Sequence, residues 1–129
     1  MSAFTLELEN KPGELARLCE AMANSEVNLL LSATTDAGGN GVIAFIADDE
    51  AAAQEVLEEA GARYLVRPAL TIRMQNLPGT GAAVFRKLAD AGVNVDLLLP
   101  VRISEDLFFA VICVDDMEAA STTLGDLVV

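Results

Sequence analysis

The chain has 129 residues, of which 53% are hydrophobic and only 5% aromatic, a composition typical of a globular core of alanine, leucine and valine. Its 20 acidic and 8 basic residues give a formal net charge of −12. This acidity argues against nucleic acid as a partner, because no basic stripe is present to neutralise phosphates. We interpret it as a solubility feature. The chain also lacks histidine, the commonest general base and the commonest transition-metal ligand.

The cysteines and the hydropathy pattern predict a cytoplasmic location. Cys19 and Cys113 lie in apolar stretches and are expected to be buried free thiols in a reducing compartment. No apolar run is long enough for a membrane span, and the N-terminus lacks the basic and then apolar pattern of a signal peptide. We therefore expect no membrane partner.

The first half of the chain alternates between strand-like and helix-like patterns. Residues 4–9 alternate strictly between apolar and polar side chains, which predicts a half-buried strand. Pro12 suits the first turn of a following helix, whose apolar residues recur at helical spacing as Leu15, Leu18, Cys19 and Met22. The remaining predicted elements are two strands, a helix and a last strand, at 27–33, 42–47, 50–60 and 64–66. Asp48 and Asp49 are candidate N-caps for the second helix.

The same order of patterns returns 66 residues later. Asn10-Lys11-Pro12-Gly13 is repeated as Asn76-Leu77-Pro78-Gly79, and further identities at this offset include Ala23/Ala89, Val27/Val93, Asn28/Asn94, Leu31/Leu97, Ile46/Ile112 and Asp49/Asp115. The repeat predicts strands at 70–75, 93–99, 107–114 and 127–129, with helices after Pro78 and at 117–124, the latter capped from Asp115 or Asp116. Such a repeat indicates two copies of one structural unit.

Each half therefore reads β-α-β-β-α-β, the order of a ferredoxin-like α+β unit with helices on one face of an antiparallel sheet. We predict two domains, at 1–67 and 68–129. We expect them to pack side by side, because a unit of about 65 residues buries little core of its own. Exchange of strands between the halves stays open, since the last strand of one runs almost directly into the first strand of the next.

These features resemble the ACT domain, the small-molecule regulatory module named after aspartate kinase, chorismate mutase and prephenate dehydrogenase. The resemblance rests on an alternating strand that ends in Asn-x-Pro-Gly, a helix, and then Val-Asn before an apolar strand. Both halves carry it, so it extends over essentially the whole chain. It implies a stand-alone pair of ACT units that binds a free L-amino acid where two units meet.

The resemblance also implies which residues bind that ligand. The loop after the first strand of one unit faces the second strand of the other. One set of implied ligand-binding residues is Asn10, Pro12, Gly13, Glu14 and Leu15 with Val93, Asn94 and Val95. The reciprocal set is Asn76, Pro78, Gly79 and Thr80 with Val27, Asn28 and Leu29.

The residue types suit such a ligand independently of the resemblance. Gly13 and Gly79 allow backbone N–H groups at a helix N-terminus to approach a carboxylate. Asn10 and Asn76 each offer an amide oxygen that can accept a hydrogen bond from an ammonium group. A purely structural interpretation stays open, because Asn-x-Pro-Gly is also ordinary turn chemistry and Asn28 and Asn94 could simply cap the start of a strand. The copies differ at Lys11/Leu77, Glu14/Thr80 and Leu15/Gly81, so one site could be inactive.

We expect a non-catalytic sensor or regulatory protein with no cofactor and no metal. Neither half shows a nucleophile placed beside a general base, which argues against an enzyme. The acidic pairs 48–49 and 115–116 are read as helix caps rather than cation sites, and the glycines at 38–41 as a turn, because they lack the ending of a phosphate-binding loop. The alternative function is a structural or oligomerisation module without a ligand. We expect a homodimer in either case, and a regulated protein as a second partner.

Overall fold

The computed structural model describes residues 1–129, which divide into two units. The first unit comprises Ser2–Arg67, and the second comprises Pro68–Val129 together with Met1. None of the four helices is long and apolar enough to cross a membrane.

The first unit contains the predicted β-α-β-β-α-β order. Its elements are β1 (Ser2–Leu8), α1 (Glu14–Asn24), β2 (Leu29–Thr35), β3 (Gly41–Ala47), α2 (Glu50–Glu59) and β4 (Tyr64–Pro68). The strands form one sheet in the order β2-β3-β1-β4, in which β3 is antiparallel to both β1 and β2. The alternation along β1 and β3 places every second side chain, including Phe4 and Phe45, in the core between sheet and helices.

The core of the first unit is centred on an aromatic pair. The rings of Phe4 and Phe45 are fully buried and stack with a centroid distance of 4.9 Å and an interplanar angle of 2°. From α1 only Leu18 and Met22 are buried, so the apolar stripe of this helix is narrower than its sequence suggests. Cys19 consequently lies exposed, and the prediction of a buried thiol was wrong there.

The second unit repeats the order of the first unit as far as its second helix. It contains β5 (Leu70–Gln75), α3 (Thr80–Asp90), β6 (Val95–Ile103), β7 (Leu107–Val114) and α4 (Met117–Leu124), followed by a short 3-10 helix at Gly125–Leu127. Its sheet has the order β5-β7-β6, and both neighbouring pairs are antiparallel. Leu88 and Ile112 are fully buried in its core, and Cys113 is buried as predicted.

The last predicted strand, at 127–129, is reduced to a single bridge. Gly125, with φ +53°, ends α4, and the 3-10 turn that follows leaves only Val128 to pair with Ile72. The N–H of Val129 donates to the carbonyl of Thr71 at 2.9 Å. Apart from this strand, the architecture confirms two ferredoxin-like α+β units.

The second strand of each unit begins two residues later than the sequence predicted, at Leu29 and Val95. The N–H of Asn28 donates to the carboxylate of Asp48 at 2.9 Å, and the N–H of Asp48 donates back to the carbonyl of Asn28 at 3.1 Å. Asn94 and Asp115 make the same pair of bonds at 2.8 and 3.2 Å. These reciprocal bonds hold the backbone just ahead of the regular strand, so the acidic pairs do more than cap helices.

Candidate functional site

A glycine in the left-handed conformation joins the first strand of each unit to its first helix. Gly13 has φ 93° and Gly79 has φ 89°, and each is the N-cap residue of the helix that follows. Other residue types rarely adopt this conformation. A Cβ atom built on either glycine would meet no atom within 4 Å, so the requirement for glycine comes from the backbone and not from crowding. The space beside each loop is open.

These two helices begin without a side-chain cap, in contrast to the other two. Asp49 accepts a hydrogen bond from the N–H of Ala52 at the start of α2, and Asp116 accepts one from the N–H of Ala119 at the start of α4. No side chain does this for α1 or α3. The first-turn N–H groups of a helix have no partner within the helix itself, and with the helix dipole they favour an anion. Uncapped helix starts therefore recur at the same point of both units.

In the first unit this position carries its own charges. The ammonium of Lys11 lies 2.8 Å from a carboxylate oxygen of Glu9 and 3.8 Å from one of Glu14, and the guanidinium of Arg17 lies 3.3 Å from Glu14. The hydrogen bond from Lys11 lowers the pKa of Glu9, and the same contact raises the pKa of Lys11. The Glu14 side chain is only 14% exposed. An internal carboxylate thus occupies the first turn of α1, and the nearby cations are already paired.

The second loop is anchored and uncharged. Asn76 donates from its side-chain Nδ2 to the carbonyl of Ser104 at 2.8 Å and from its backbone N–H to the carbonyl of Asp106 at 2.9 Å. These bonds leave the amide oxygen of Asn76 as an acceptor. The first turn of α3 contains no acidic residue, because Thr80 stands where the first unit has Glu14. The residue after Asn76 is Leu77, which is 61% exposed.

The remaining predicted residues lie near the start of the second strand of each unit. Val27 and Val93 are buried in the hydrophobic cores, so only their backbone is available to a ligand. Leu29 and Val95 are half-buried and pack against the same cores. The side chain of Asn94 donates to Asp96 at 2.9 Å.

Three other predicted loop residues are exposed. Leu15 is 40% exposed, and Pro12 and Pro78 are also exposed. The grouping of these residues into a binding site stays a prediction.

A broad groove on the first unit was not anticipated from the sequence. It has a volume of about 1340 Å³ and lies between α1, the end of α2 and β4, with Arg17, Leu18, Val56 and Tyr64 among its lining residues. It reaches the predicted site only through Glu14 and does not include Asn10 or Gly13. No periodicity in the sequence predicts it, because its lining residues come from several strands and helices that are distant in the chain. No group of three or more Cys, Asp or Glu side chains is placed to hold a metal ion.

The order of the elements, and the left-handed glycine at the start of the first helix of each unit, are those of a pair of ferredoxin-like units of ACT type. Comparison with protein families supports this class of protein, because the family model of the ACT domain pair matches residues 1–123. The chain belongs to this family.

Solved structures share the fold at low sequence identity. A protein of Bacteroides thetaiotaomicron superposes with a TM-score of 0.81 and 23% identity over 95% of this chain and 85% of the other. The ligand-free regulatory subunit of aspartate kinase from Thermus thermophilus gives 0.72 and 20% over 98% and 91%. The corresponding subunit from Thermus flavus gives 0.68 and 19% over 95% and 88%. No curated protein matches the chain.

Proposed function

We propose that this protein is a non-catalytic regulatory protein that binds a free L-amino acid at its Asn-x-Pro-Gly loops. The observation that carries the proposal is the repeated, uncapped helix start behind a left-handed glycine, at Gly13 and Gly79. Membership of the ACT domain pair family supports it. Two proteins of the same fold are regulatory subunits of aspartate kinase, which is in keeping with a regulatory role.

The chemistry of an amino acid matches what the loop at Gly79 offers. The ligand carboxylate would accept hydrogen bonds from N–H groups in the first turn of α3 and gain from the helix dipole. The ligand ammonium would donate to the amide oxygen of Asn76, whose orientation is fixed by the bond to Ser104. The proposal retains the arrangement that the resemblance implies, in which each loop faces the second strand of another unit, at Val93–Val95 or at Val27–Leu29.

The two loops are proposed to be unequal. Glu14 places a carboxylate in the first turn of α1, where it competes with a ligand carboxylate for the same positive end of the helix. Lys11 does not compensate, because Glu9 and Glu14 already pair with it. The loop at Gly79 has no such internal anion. We therefore assign the principal binding site to the second loop.

A thermal-shift screen of the twenty amino acids tests the proposal. A ligand that binds only the folded state raises the melting temperature by mass action. We expect at least one amino acid to do so at millimolar concentration, with binding confirmed by calorimetry. If none binds by either method, the proposal fails and the ligand-free oligomerisation module becomes the better interpretation.

Matched variants locate the site. Gly79→Val is expected to abolish the ligand-induced shift and Gly13→Val to reduce it little. Both variants are expected to fold with a lower melting temperature, because valine meets no atom at either position but strains the left-handed backbone. Glu14→Thr removes the internal carboxylate from the first turn of α1 and places there the residue that the second unit has at Thr80. This variant is expected to add a second binding event. If Gly79→Val binds ligand as tightly as the unchanged protein, the site is wrongly placed.

A further inference from the structure

Two arginines flank a phenylalanine on the sheet of the second unit. Arg73 on β5 lies directly opposite Phe109 on β7, and Phe109 lies opposite Arg102 on β6. Directly paired residues project from the same face of a sheet, with Cβ atoms about 5 Å apart. The guanidinium carbon of Arg102 lies 5.7 Å from the centroid of the Phe109 ring, within the range of a cation–π contact. Successive side chains of a strand point to opposite faces of the sheet, and the adjacent Ile72 and Ala110 belong to the core. The two arginines and Phe109 therefore project from the face opposite to the helices.

These arginines are cations without a carboxylate partner. Both side chains are exposed, and neither takes part in an ion pair of the chain. The protein has 20 acidic and only 8 basic residues, yet these two neighbouring arginines form no ion pair with any of the acidic side chains. They therefore form a positive patch on a mainly negative protein. Arg73 and Arg102 are the strand neighbours of Phe109 on its two sides, so their like charges repel each other, and an external anion would relieve that repulsion.

An exposed acidic turn lies at the end of the same hairpin. Glu105 and Asp106 join β6 to β7 and follow Arg102 by only a few residues. Ser104 holds this turn, because its N–H donates to the carbonyl of Leu107 at 2.8 Å and its hydroxyl accepts from the N–H of Leu107 at 3.0 Å. Leu107 lies two residues before Phe109 on β7 and shares its face, and both are half-buried. Cations, apolar side chains and anions therefore follow one another across a small area.

We propose that this hairpin patch, formed by Arg73, Arg102, Glu105, Asp106, Leu107 and Phe109, is a two-fold contact with a second copy of the chain. A two-fold interface brings one surface patch against itself, so the patch must be self-complementary. The arginines of each copy meet the acidic turn of the other, and Leu107 and Phe109 pack at the centre. An unrelated acidic partner would engage the arginines alone and would leave the acidic turn without a role.

Charge reversal in two matched variants tests this contact. One variant is Arg73→Glu with Arg102→Glu, and the other is Glu105→Lys with Asp106→Lys. Sedimentation velocity over a concentration series at physiological salt is expected to show a dimer for the unchanged protein and at least about tenfold weaker self-association for each variant, since like charges then face each other. An equimolar mixture is expected to form a heterodimer, because one patch is wholly negative and the other wholly positive.

Several results would overturn the proposal. It fails if the unchanged protein is monomeric into the millimolar range, or if it forms a dimer that neither reversal weakens. It also fails if the two folded variants do not associate when mixed, or if only the arginine reversal has an effect, which would indicate an acidic partner of another kind. Should a reversal prevent folding, the neutral pairs Arg73→Gln with Arg102→Gln and Glu105→Gln with Asp106→Asn are expected to weaken the dimer in the same direction by a smaller factor.

Discussion

Replacement of Gly79 by alanine isolates the cost of the left-handed backbone from every other contribution. Gly79 has φ 89°, and a Cβ atom there meets nothing within 4 Å, so the substitution adds no clash. Forcing an L-residue into this region costs about 1–2 kcal/mol, partly offset by about 0.4–1 kcal/mol from the reduced freedom of the unfolded chain. We therefore expect Gly79→Ala to lower the free energy of unfolding by about 1 kcal/mol. For a chain of this length that corresponds to a fall in melting temperature of about 3–6 °C.

Gly81 provides a matched control two residues away. It lies inside α3 without a positive φ, and its added Cβ would meet only a ring carbon of Phe85, at 3.8 Å. Alanine is favoured over glycine in a helix by up to about 1 kcal/mol, so Gly81→Ala is expected to raise the melting temperature. The assay is thermal unfolding of both variants by circular dichroism. Equal effects of the two substitutions, or a gain in stability from Gly79→Ala, would refute the reasoning.

Three further predictions concern the first unit. Asp49→Ala removes the side-chain cap of α2 and is expected to reduce the free energy of unfolding by about 1 kcal/mol in chemical denaturation, whereas Asp49→Asn is expected to cost much less. Phe45→Leu breaks the stacked contact with Phe4 and is expected to reduce the free energy of unfolding by about 1–3 kcal/mol. The dependence of that free energy on denaturant concentration is expected to stay the same, and a change in it would show that the fold itself had altered. Hydrogen bonds from the backbone and side chain of Asn40 lower the pKa of Asp36. These hydrogen bonds stabilise the β2–β3 turn at pH values above the ordinary aspartate pKa, and the stabilisation is lost as the pH falls through the lowered pKa of Asp36. If the Asp36 carboxyl titrates in NMR like that of an unstructured peptide, the prediction is wrong.

The sequence predicted the fold well because the two patterns that define it are local. The strict alternation in residues 4–9 and the helical spacing around Leu18 and Met22 can be recognised without knowledge of distant contacts. Because the same patterns recur 66 residues later, each element predicted in one half supports the corresponding element in the other. The errors lie where tertiary contacts decide. Cys19 is exposed because Leu18, Ala21 and Met22 form the side of α1 that packs on the core, and Cys19 lies outside that side. The strand predicted at 127–129 is replaced by a 3-10 turn and one bridge.

The candidate site was predictable only in part. The sequence predicted that Gly13 and Gly79 lie at the start of a helix, and each is the N-cap residue of one. Their left-handed conformation, with φ 93° and 89°, was not predicted. The pairing of Asn76 with Ser104 could not be predicted from the sequence, because it joins two loop residues that are 28 positions apart in the chain. The same holds for the reciprocal bonds between Asn94 and Asp115, which give the second aspartate pair a role that capping alone does not explain.

The turn at Ser104–Asp106 connects the two proposals. Its carbonyl groups accept both hydrogen bonds of Asn76, and its carboxylates belong to the hairpin patch. If both proposals hold, ligand binding and dimer formation act on one segment, and any coupling between them must be reciprocal. Dimerisation changes the ligand affinity of each site by a coupling factor, and saturation of both sites of the dimer changes the dimer dissociation constant by the square of that factor.

Asn76→Ala tests this connection. It removes the side-chain bond to Ser104 and the amide oxygen proposed to accept from the ligand ammonium, but it keeps the backbone bond to Asp106. We therefore expect a small loss of stability, about 1 kcal/mol, weaker ligand binding, and a coupling factor close to one when the ligand concentration is raised to saturate the variant. Sedimentation with and without ligand, and calorimetry on either side of the dimer dissociation constant, measure the factor by independent routes. A coupling factor that survives unchanged in Asn76→Ala would show that this side chain does not link the loop to the hairpin, whereas a factor of one in the unchanged protein would show that the two sites are independent.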